Sequence, residues 1–192
     1  MNHFIKRKER IIFTAIDIVS DLGFQGLSTK EIAKRQGISE GTLYKHFKSK
    51  NEIILGVLDY YSKFDKSIEE SIELNKLRPK ESITFFIKMV AEYYENYPAI
   101  TAITNLQETL EHESSIAERN KEIFENRVKL IIQYIEDGKK NGEFRSDIDS
   151  ETIAIIISGS FREIILKWRL NKFNFPLKER ILFTLNMILT AF

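Results

Sequence analysis

The sequence of 192 residues predicts an all-α protein of about nine helices. Its three prolines, Pro79, Pro98 and Pro176, each stand where a helix would begin rather than inside one. Gly23 and Gly37 stand where helices should stop, because glycine readily adopts the left-handed conformation of a helix C-cap. No segment alternates apolar and polar residues for long enough to predict a sheet.

The helix bounds follow from apolar residues at helical spacing and from capping signals. Ser28 with Glu31, and Ser49 with Glu52, have the spacing of a capping box, which opens a helix. The predicted helices cover about 6–22, 28–36, 39–46, 49–72, 79–97, 98–110, 115–138, 150–170 and 176–192.

Composition excludes several classes of protein. The chain has no cysteine, so it holds neither disulfides nor thiolate metal sites. Its start is charged and lacks the apolar core of a secretory signal. The longest nearly unbroken apolar run, 153–157, is far shorter than the roughly 20 residues of a membrane span. We therefore expect a cytoplasmic protein that makes no membrane contact.

Catalysis is not expected. His3, His46 and His112 are isolated, and no two histidines have metal-ligand spacing on one helix face. There is no glycine-rich phosphate loop and no nucleophile motif, and the acidic residues fall mainly on predicted solvated faces. The prediction is a non-enzyme without a cofactor or a metal.

Charge is unevenly distributed along the chain. The first 50 residues contain ten Lys/Arg and five Asp/Glu, whereas the rest contains 19 and 23. A basic N-terminal module on a mildly acidic body is typical of a DNA-binding domain joined to a domain that does not bind DNA. Uneven charge on a solvated surface is the alternative.

Residues 28–47 have the pattern of a helix-turn-helix. Two short helices, each opened by a serine cap, are joined by a tight turn at Gly37. In such motifs the second helix enters the major groove with its N-terminal residues at base edges. Gly41 has no side chain and lets that helix lie close to the groove, and Thr42 offers a hydroxyl and a methyl group for a base edge.

The segment GLSTKEIAKRQGISEGTLYKHFKSK, residues 26–50, resembles the N-terminal domain of the TetR/AcrR family of regulators. The resemblance extends from about Lys6 to Glu52, and the C-terminal part resembles the family only in helix layout. Gln36 departs from the alanine common in the family and is expected at the rim of the small core. The matching positions are Thr29, Ile32, Ala33, Gly37, Ile38, Ser39, Gly41, Tyr44, Phe47 and Lys50.

The resemblance implies a set of DNA contacts. They are Thr29, Lys30, Ser39, Glu40, Gly41, Thr42, Tyr44, Lys45, His46 and Lys50. Glu40, Thr42 and Lys45 are expected to read bases. The residues expected to contact phosphates are Thr29, Tyr44, His46 and Lys50. Taken singly, Tyr44 could be a packed aromatic, His46 an ordinary surface histidine and Ser39 a cap alone.

The resemblance also implies two domains, a DNA-binding domain over 1–50 and a helical effector and dimerisation domain over 51–192. The last two helices are more apolar than one buried face requires, which favours a homodimer built as a four-helix bundle. A monomeric core is the alternative. The predicted interface residues are Ile157, Phe161, Ile164, Ile165, Trp168, Leu182, Leu185, Ile188 and Leu189.

Aromatic and thioether residues cluster in the predicted body and would suit a small apolar or flat aromatic effector, such as a lipid or an acyl-CoA ester. Ordinary core packing is the alternative for each of them. The predicted effector contacts are Phe86, Met89, Tyr93, Leu106, Leu110, Phe124 and Phe161.

The sequence thus predicts a ligand-responsive transcriptional regulator, which by the family resemblance is a repressor. It would bind a pseudo-palindromic operator in double-stranded DNA as a homodimer and would be released by the effector. The alternative is a helical DNA-binding dimer that is controlled by a partner protein or lacks an effector.

Overall fold

A computed structural model describes residues 6–104 and 114–192, and these residues form nine α-helices and no strand. The all-α prediction is therefore confirmed for the described part of the chain. None of its helices is long and apolar enough to span a membrane. The helices are α1 (Arg7–Gly26), α2 (Thr29–Gln36), α3 (Glu40–Tyr44), α4 (Lys50–Asn75), α5 (Pro79–Asn96), α6 (Ile100–Thr104), α7 (Ser114–Lys140), α8 (Ser150–Leu170) and α9 (Leu177–Ala191).

The observed helix ends agree closely with the predicted ones, and the differences have local causes. Gly23 has a φ of 71° and a ψ of 175°, so it breaks the helix where predicted, but the chain resumes helical geometry and α1 extends to Gly26. α3 ends at Tyr44, two residues earlier than predicted. Beyond Thr104, the predicted sixth helix lies outside the described residues.

The first compact unit comprises residues up to Lys63 together with Tyr97–Lys121. Its core is apolar, and α6 packs against α1. Its largest fully buried side chains are Ile11, Ile18, Ile32, Leu43, Phe47, Ile53, Ile54, Leu58 and Ile116.

The second unit comprises Phe64–Asn96 and Glu122–Phe192. α9 packs against both α5 and α8. The indole Nε1 of Trp168 donates a hydrogen bond to the carbonyl of Phe175 at 2.9 Å and so satisfies the polar atom of a buried side chain.

The predicted domain boundary after residue 50 does not coincide with the division into compact units. α4 is one continuous helix whose first 14 residues, up to Lys63, belong to the first unit and whose remainder belongs to the second. α6 belongs to the first unit, although the sequence prediction assigned it to the effector domain. The boundary by role therefore stays a prediction.

Candidate nucleic-acid interface

Two capped helix starts and one left-handed glycine build the helix-turn-helix. Ser28 Oγ accepts the Glu31 amide at 3.1 Å, and Ser39 Oγ accepts the Thr42 amide at 3.1 Å. Gly37, with a φ of 62°, closes α2 and turns the chain into α3. The return half of the first capping box is absent, because the Glu31 carboxylate accepts from Arg35 Nε at 3.2 Å instead.

Gln36, the departure from the family pattern, joins α2 to α1. Its amide Nε2 donates to the hydroxyl of Thr14, which is buried, and to the Arg10 carbonyl at 3.4 Å. The side chain is half-buried, consistent with its predicted place at the rim. It supplies a buried hydroxyl with a partner, which an alanine could not do.

Thr29, Glu40 and Tyr44 form one polar cluster at the starts of α2 and α3. The Thr29 hydroxyl donates to the Glu40 carboxylate at 3.0 Å and lies 3.4 Å from the Tyr44 hydroxyl. The Tyr44 ring is 48% exposed, so the structure does not use it as a core aromatic. Three residues predicted to contact DNA from two different helices therefore share a single surface.

Ser39 and Thr42 are also mutually engaged. Besides capping the helix, Ser39 Oγ lies 2.9 Å from Thr42 Oγ1. The cap role of Ser39 is thus observed, while its contact with DNA stays a prediction. Thr42 is half-buried, and its hydroxyl already has a partner in the free protein.

Gly41 is exposed on α3, and none of the described residues requires a glycine there. Among them an added Cβ would meet only Ser39 Oγ, at 3.8 Å, which is an ordinary contact. Its backbone is helical, and glycine destabilises helices relative to alanine. Gly41 weakens its own helix but leaves that position on the helix surface without a side chain, so another molecule can approach α3 closely there.

The remaining predicted contacts are the cationic and imidazole side chains around α3. Lys30 and Lys45 are exposed, and His46 is half-buried in the turn after α3. Lys50 is the first residue of α4, and its Nζ lies 4.5 Å from the centre of the Phe24 ring. That contact positions the ammonium group at the helix start without neutralising its charge.

In the second unit, the structure separates the predicted effector contacts into different environments. Phe86 is buried, and Met89, Tyr93 and Phe161 are half-buried. Phe124 is 44% exposed in the single chain, and its contact with an effector stays a prediction. Leu106 and Leu110 lie outside the described residues.

Two of these aromatic residues belong to stacked pairs. Tyr93 stacks on Phe64 with ring centres 4.5 Å apart, and Phe161 stacks near Tyr94 at 6.1 Å. Phe64 of α4 was not among the predicted effector contacts, although its place in the apolar stripe of that helix could have indicated it.

A polar network in the second unit was not predicted. The Arg127 guanidinium of α7 donates from Nε and Nη2 to the carboxylate of Asp65 on α4 at 2.6 and 2.7 Å, and from Nη1 to the Tyr94 hydroxyl at 3.3 Å. Asp65 is 7% exposed. Burial lowers the pKa of Arg127, but Tyr94 and Asp65 raise it by more. The pKa of Arg127 is therefore raised overall, and its guanidinium stays charged.

α8 and α9 each expose apolar side chains, but these are not the predicted interface residues. Five of the predicted residues are buried in their own unit, and their place in a dimer interface stays a prediction: Ile157, Ile165, Trp168, Leu185 and Leu189. The residues Phe161, Ile164, Leu182 and Ile188 are half-buried. The exposed apolar residues are Ile155, Ile156, Leu166 and Leu170 of α8 and Phe183 and Met187 of α9.

Comparison with known proteins adds a family and a fold. Residues 11–57 match the family described as bacterial regulatory proteins, tetR family, and residues 59–191 match the C-terminal region of YsiA-like protein. The fatty acid metabolism regulator protein of Bacillus subtilis is 23% identical over 163 residues, which are 84% of this chain and 83% of the relative.

Two solved structures share the fold at low identity. The fatty acid degradation regulator FadR of Bacillus halodurans has a TM-score of 0.86 at 17% identity and covers 98% of this chain and 97% of its own. FadR of Bacillus subtilis in complex with stearoyl-CoA has a TM-score of 0.84 at 21% identity and covers 97% and 100%.

Proposed function

Because the chain belongs to the TetR family of bacterial regulatory proteins, we propose that it is a ligand-released repressor that binds a pseudo-palindromic operator as a homodimer. Family membership makes it a DNA-binding transcriptional regulator and not an enzyme. The proposal covers the contact residues, the symmetry of the operator, the dimer, the effector and repression itself. It also covers a cytoplasmic location beside the DNA.

The main support for the DNA contact is Gly41, which leaves its position on the exposed surface of α3 without a side chain. The cluster of Thr29, Glu40 and Tyr44 adjoins the start of the same helix, so hydroxyl groups that can bind phosphates surround a position where α3 can approach base edges. In this arrangement Thr29, Tyr44, His46 and Lys50 contact phosphates, while Glu40, Thr42 and Lys45 face bases.

The exposed faces of α8 and α9 support the homodimer. Apolar side chains such as Ile155, 59% exposed, and Phe183, 68% exposed, are unfavourable in water, and a patch of such residues favours association. Gly159 is exposed on α8 one turn after Ile155, and a Cβ added there would meet no atom of the described residues within 4 Å. Two copies packed through these faces would bury the patch and fix the spacing of two recognition helices at about one helical turn of DNA, roughly 34–36 Å.

The effector we propose is a long-chain acyl-CoA ester bound in the second unit. Its aromatic residues suit an acyl chain, and the similar FadR of Bacillus subtilis was solved in complex with stearoyl-CoA. Because α4 supplies residues to both units, a ligand that shifts α4 would also shift the start of that helix at Lys50. Such a shift would change the spacing of the two recognition helices.

One experiment tests the proposal with the purified full chain. Duplexes are selected from a random-sequence library, and the selected duplex is footprinted with and without stearoyl-CoA, with free CoA as the control. We expect two protected half-sites one helical turn apart and release by stearoyl-CoA alone. Diffuse protection would contradict operator recognition. Release by neither compound would contradict the acyl-CoA effector and favour control by a partner protein.

A further inference from the structure

We propose that the first turn of α1 is an additional phosphate-binding surface for the same DNA duplex; this inference rests on the proposed function. The basic turn, as we name it, comprises Lys6, Arg7, Lys8 and Arg10. None of the DNA contacts proposed above belongs to it, although it contains four of the ten basic residues of the first 50 positions.

The basic turn is exposed and electrostatically uncompensated. All four side chains are exposed, and within the described residues no carboxylate forms an ion pair with any of them. Glu9 lies among them, but it is half-buried and accepts a hydrogen bond from the Lys6 backbone amide at 3.2 Å. Some other cations of the same unit are paired: Arg35, for example, bonds both Asp21 and Glu31.

One contact relates the basic turn to the segment that carries the proposed phosphate contacts His46 and Lys50. Lys8 Nζ lies 4.9 Å from the centre of the Phe47 ring. Phe47 is buried directly after His46 and three residues before Lys50, so it joins the end of α3 to the start of α4. The ammonium of Lys8 therefore lies at the edge of the proposed DNA surface, and the basic turn extends the positive charge of that surface.

Clustered exposed cations repel one another unless anions bind between them, and duplex DNA presents closely spaced phosphates. A lipid surface is a poorer partner, because an interfacial helix needs an exposed apolar face. The apolar residues after the basic turn, Ile11, Ile12 and Ala15, are instead buried in the core of the first unit. The geometry therefore favours DNA.

The test is the salt dependence of binding to the selected duplex and to a scrambled duplex of the same length. Removing one phosphate contact lowers the magnitude of the slope of log K against log salt by about 0.9. R7Q/K8Q removes two cations from each subunit of a dimer, so the slope should decrease in magnitude by about 3.6 in all. The preference for the selected over the scrambled duplex should be unchanged, because phosphate contacts carry no sequence information.

Two further variants keep this test decisive. R7Q/R10Q leaves the Lys8–Phe47 contact in place, so a decrease shared by both variants cannot come from loss of that packing. K88Q/K172Q removes the same number of exposed cations from the second unit and should leave the slope unchanged.

The outcomes separate the two proposals. An unchanged slope in both basic-turn variants, or an equal decrease in the control, would overturn the inference while leaving operator binding by the wild type intact. Loss of sequence preference with an unchanged slope would also overturn it, since that is the behaviour of a base contact. If the wild type prefers no duplex at all, the proposed function fails first.

Discussion

The hydroxyl of Thr29 donates a 3.0 Å hydrogen bond to the carboxylate of Glu40 and thereby joins the first residue of α2 to the first residue of α3. The two residues are eleven positions apart and meet only because Gly37 turns the chain in the left-handed conformation. This bond orients the Glu40 carboxylate, whose negative charge is still repelled by phosphates. Glu40 can then accept a hydrogen bond from a cytosine amino group.

Glu40→Gln should therefore relax sequence preference and raise affinity for scrambled duplexes, because it removes both a base-reading carboxylate and a repulsive charge. Loss of a specific base contact costs about 1–3 kcal/mol of discrimination at one base pair. Competition binding against single-base variants of the selected duplex measures this effect. Glu118→Gln, an exposed change on α7, is the control and should alter neither quantity. Unchanged preference in Glu40→Gln would remove Glu40 from the set of base contacts.

Gly41→Ala should stabilise the protein and weaken its binding to DNA. Alanine raises helix stability by up to about 1 kcal/mol, and within residues 6–104 and 114–192 no atom clashes with the added methyl group. Gly37→Ala is the matched control. Its φ of 62° makes alanine unfavourable by about 1–2 kcal/mol, so that variant should lose stability. Urea unfolding of both variants measures the change in stability, and DNA titration measures the change in affinity. If Gly41→Ala bound DNA as tightly as the wild type, close approach of α3 at this position would be wrong.

Leu166→Glu combined with Phe183→Glu should convert the homodimer to a monomer. Both side chains are exposed apolar groups, 43% and 68%, so the charges leave the core of each chain undisturbed but oppose burial between two copies. Sedimentation velocity measures the mass. Leu74→Glu, at a position that is 82% exposed at the end of α4, controls for the loss of surface leucine and should stay dimeric. A wild-type protein that sediments as a monomer contradicts the proposed interface at once.

Asp65→Asn should destabilise the second unit strongly, because it removes the buried carboxylate charge that compensates the guanidinium of the half-buried Arg127. Removing one member of a buried pair costs about 3–5 kcal/mol. Replacing both, as Asp65→Leu with Arg127→Met, should recover much of that loss. The free energy of unfolding in urea gives the coupling energy.

The exposed pair Arg145–Asp147 is the control for Asp65→Asn. Its Nη2–Oδ2 distance of 2.7 Å equals the Nη2–Oδ1 distance of the buried pair, but the pair is exposed, joins residues two positions apart and has no tyrosine partner among the described residues corresponding to Tyr94. Asp147→Asn should change stability little, since solvent screens surface pairs. Equal losses in the two asparagine variants would show that burial does not set the strength of the Asp65–Arg127 pair.

The sequence predicts the helices well because their ends depend on local chemistry. Ser28, Ser39 and Gly37 cap their helices as expected, since caps involve residues only a few positions apart. The same locality explains why the helix-turn-helix can be identified from the sequence alone. The contacts Thr29–Glu40 and Gln36–Thr14 were not predicted, because they join residues 11 and 22 positions apart.

The second unit was predicted less well for a physical reason. An apolar helix such as α8 must be buried on two sides, but periodicity does not tell which side contacts its own chain. Trp168 and Ile165 were therefore predicted at a free interface and lie in the core, whereas Ile155 and Leu170 are exposed. Charged residues on helices are usually solvated, so a buried Asp65–Arg127 pair gives no sequence signal.

The central claim is that the surface around α3 binds DNA through phosphate contacts that are the same for every DNA sequence. The most direct test is the binding of Tyr44→Ala and Lys50→Ala to selected and scrambled duplexes. Tyr44 is largely exposed, so its removal should spare the fold. Both variants should weaken binding to the two duplexes by the same factor. Lys50→Ala should also lower the magnitude of the slope of log K against log salt by about 1 per contact. Thr42→Ala and Lys45→Ala should instead change sequence preference. Unchanged affinity and unchanged salt dependence in Lys50→Ala would contradict the proposed docking.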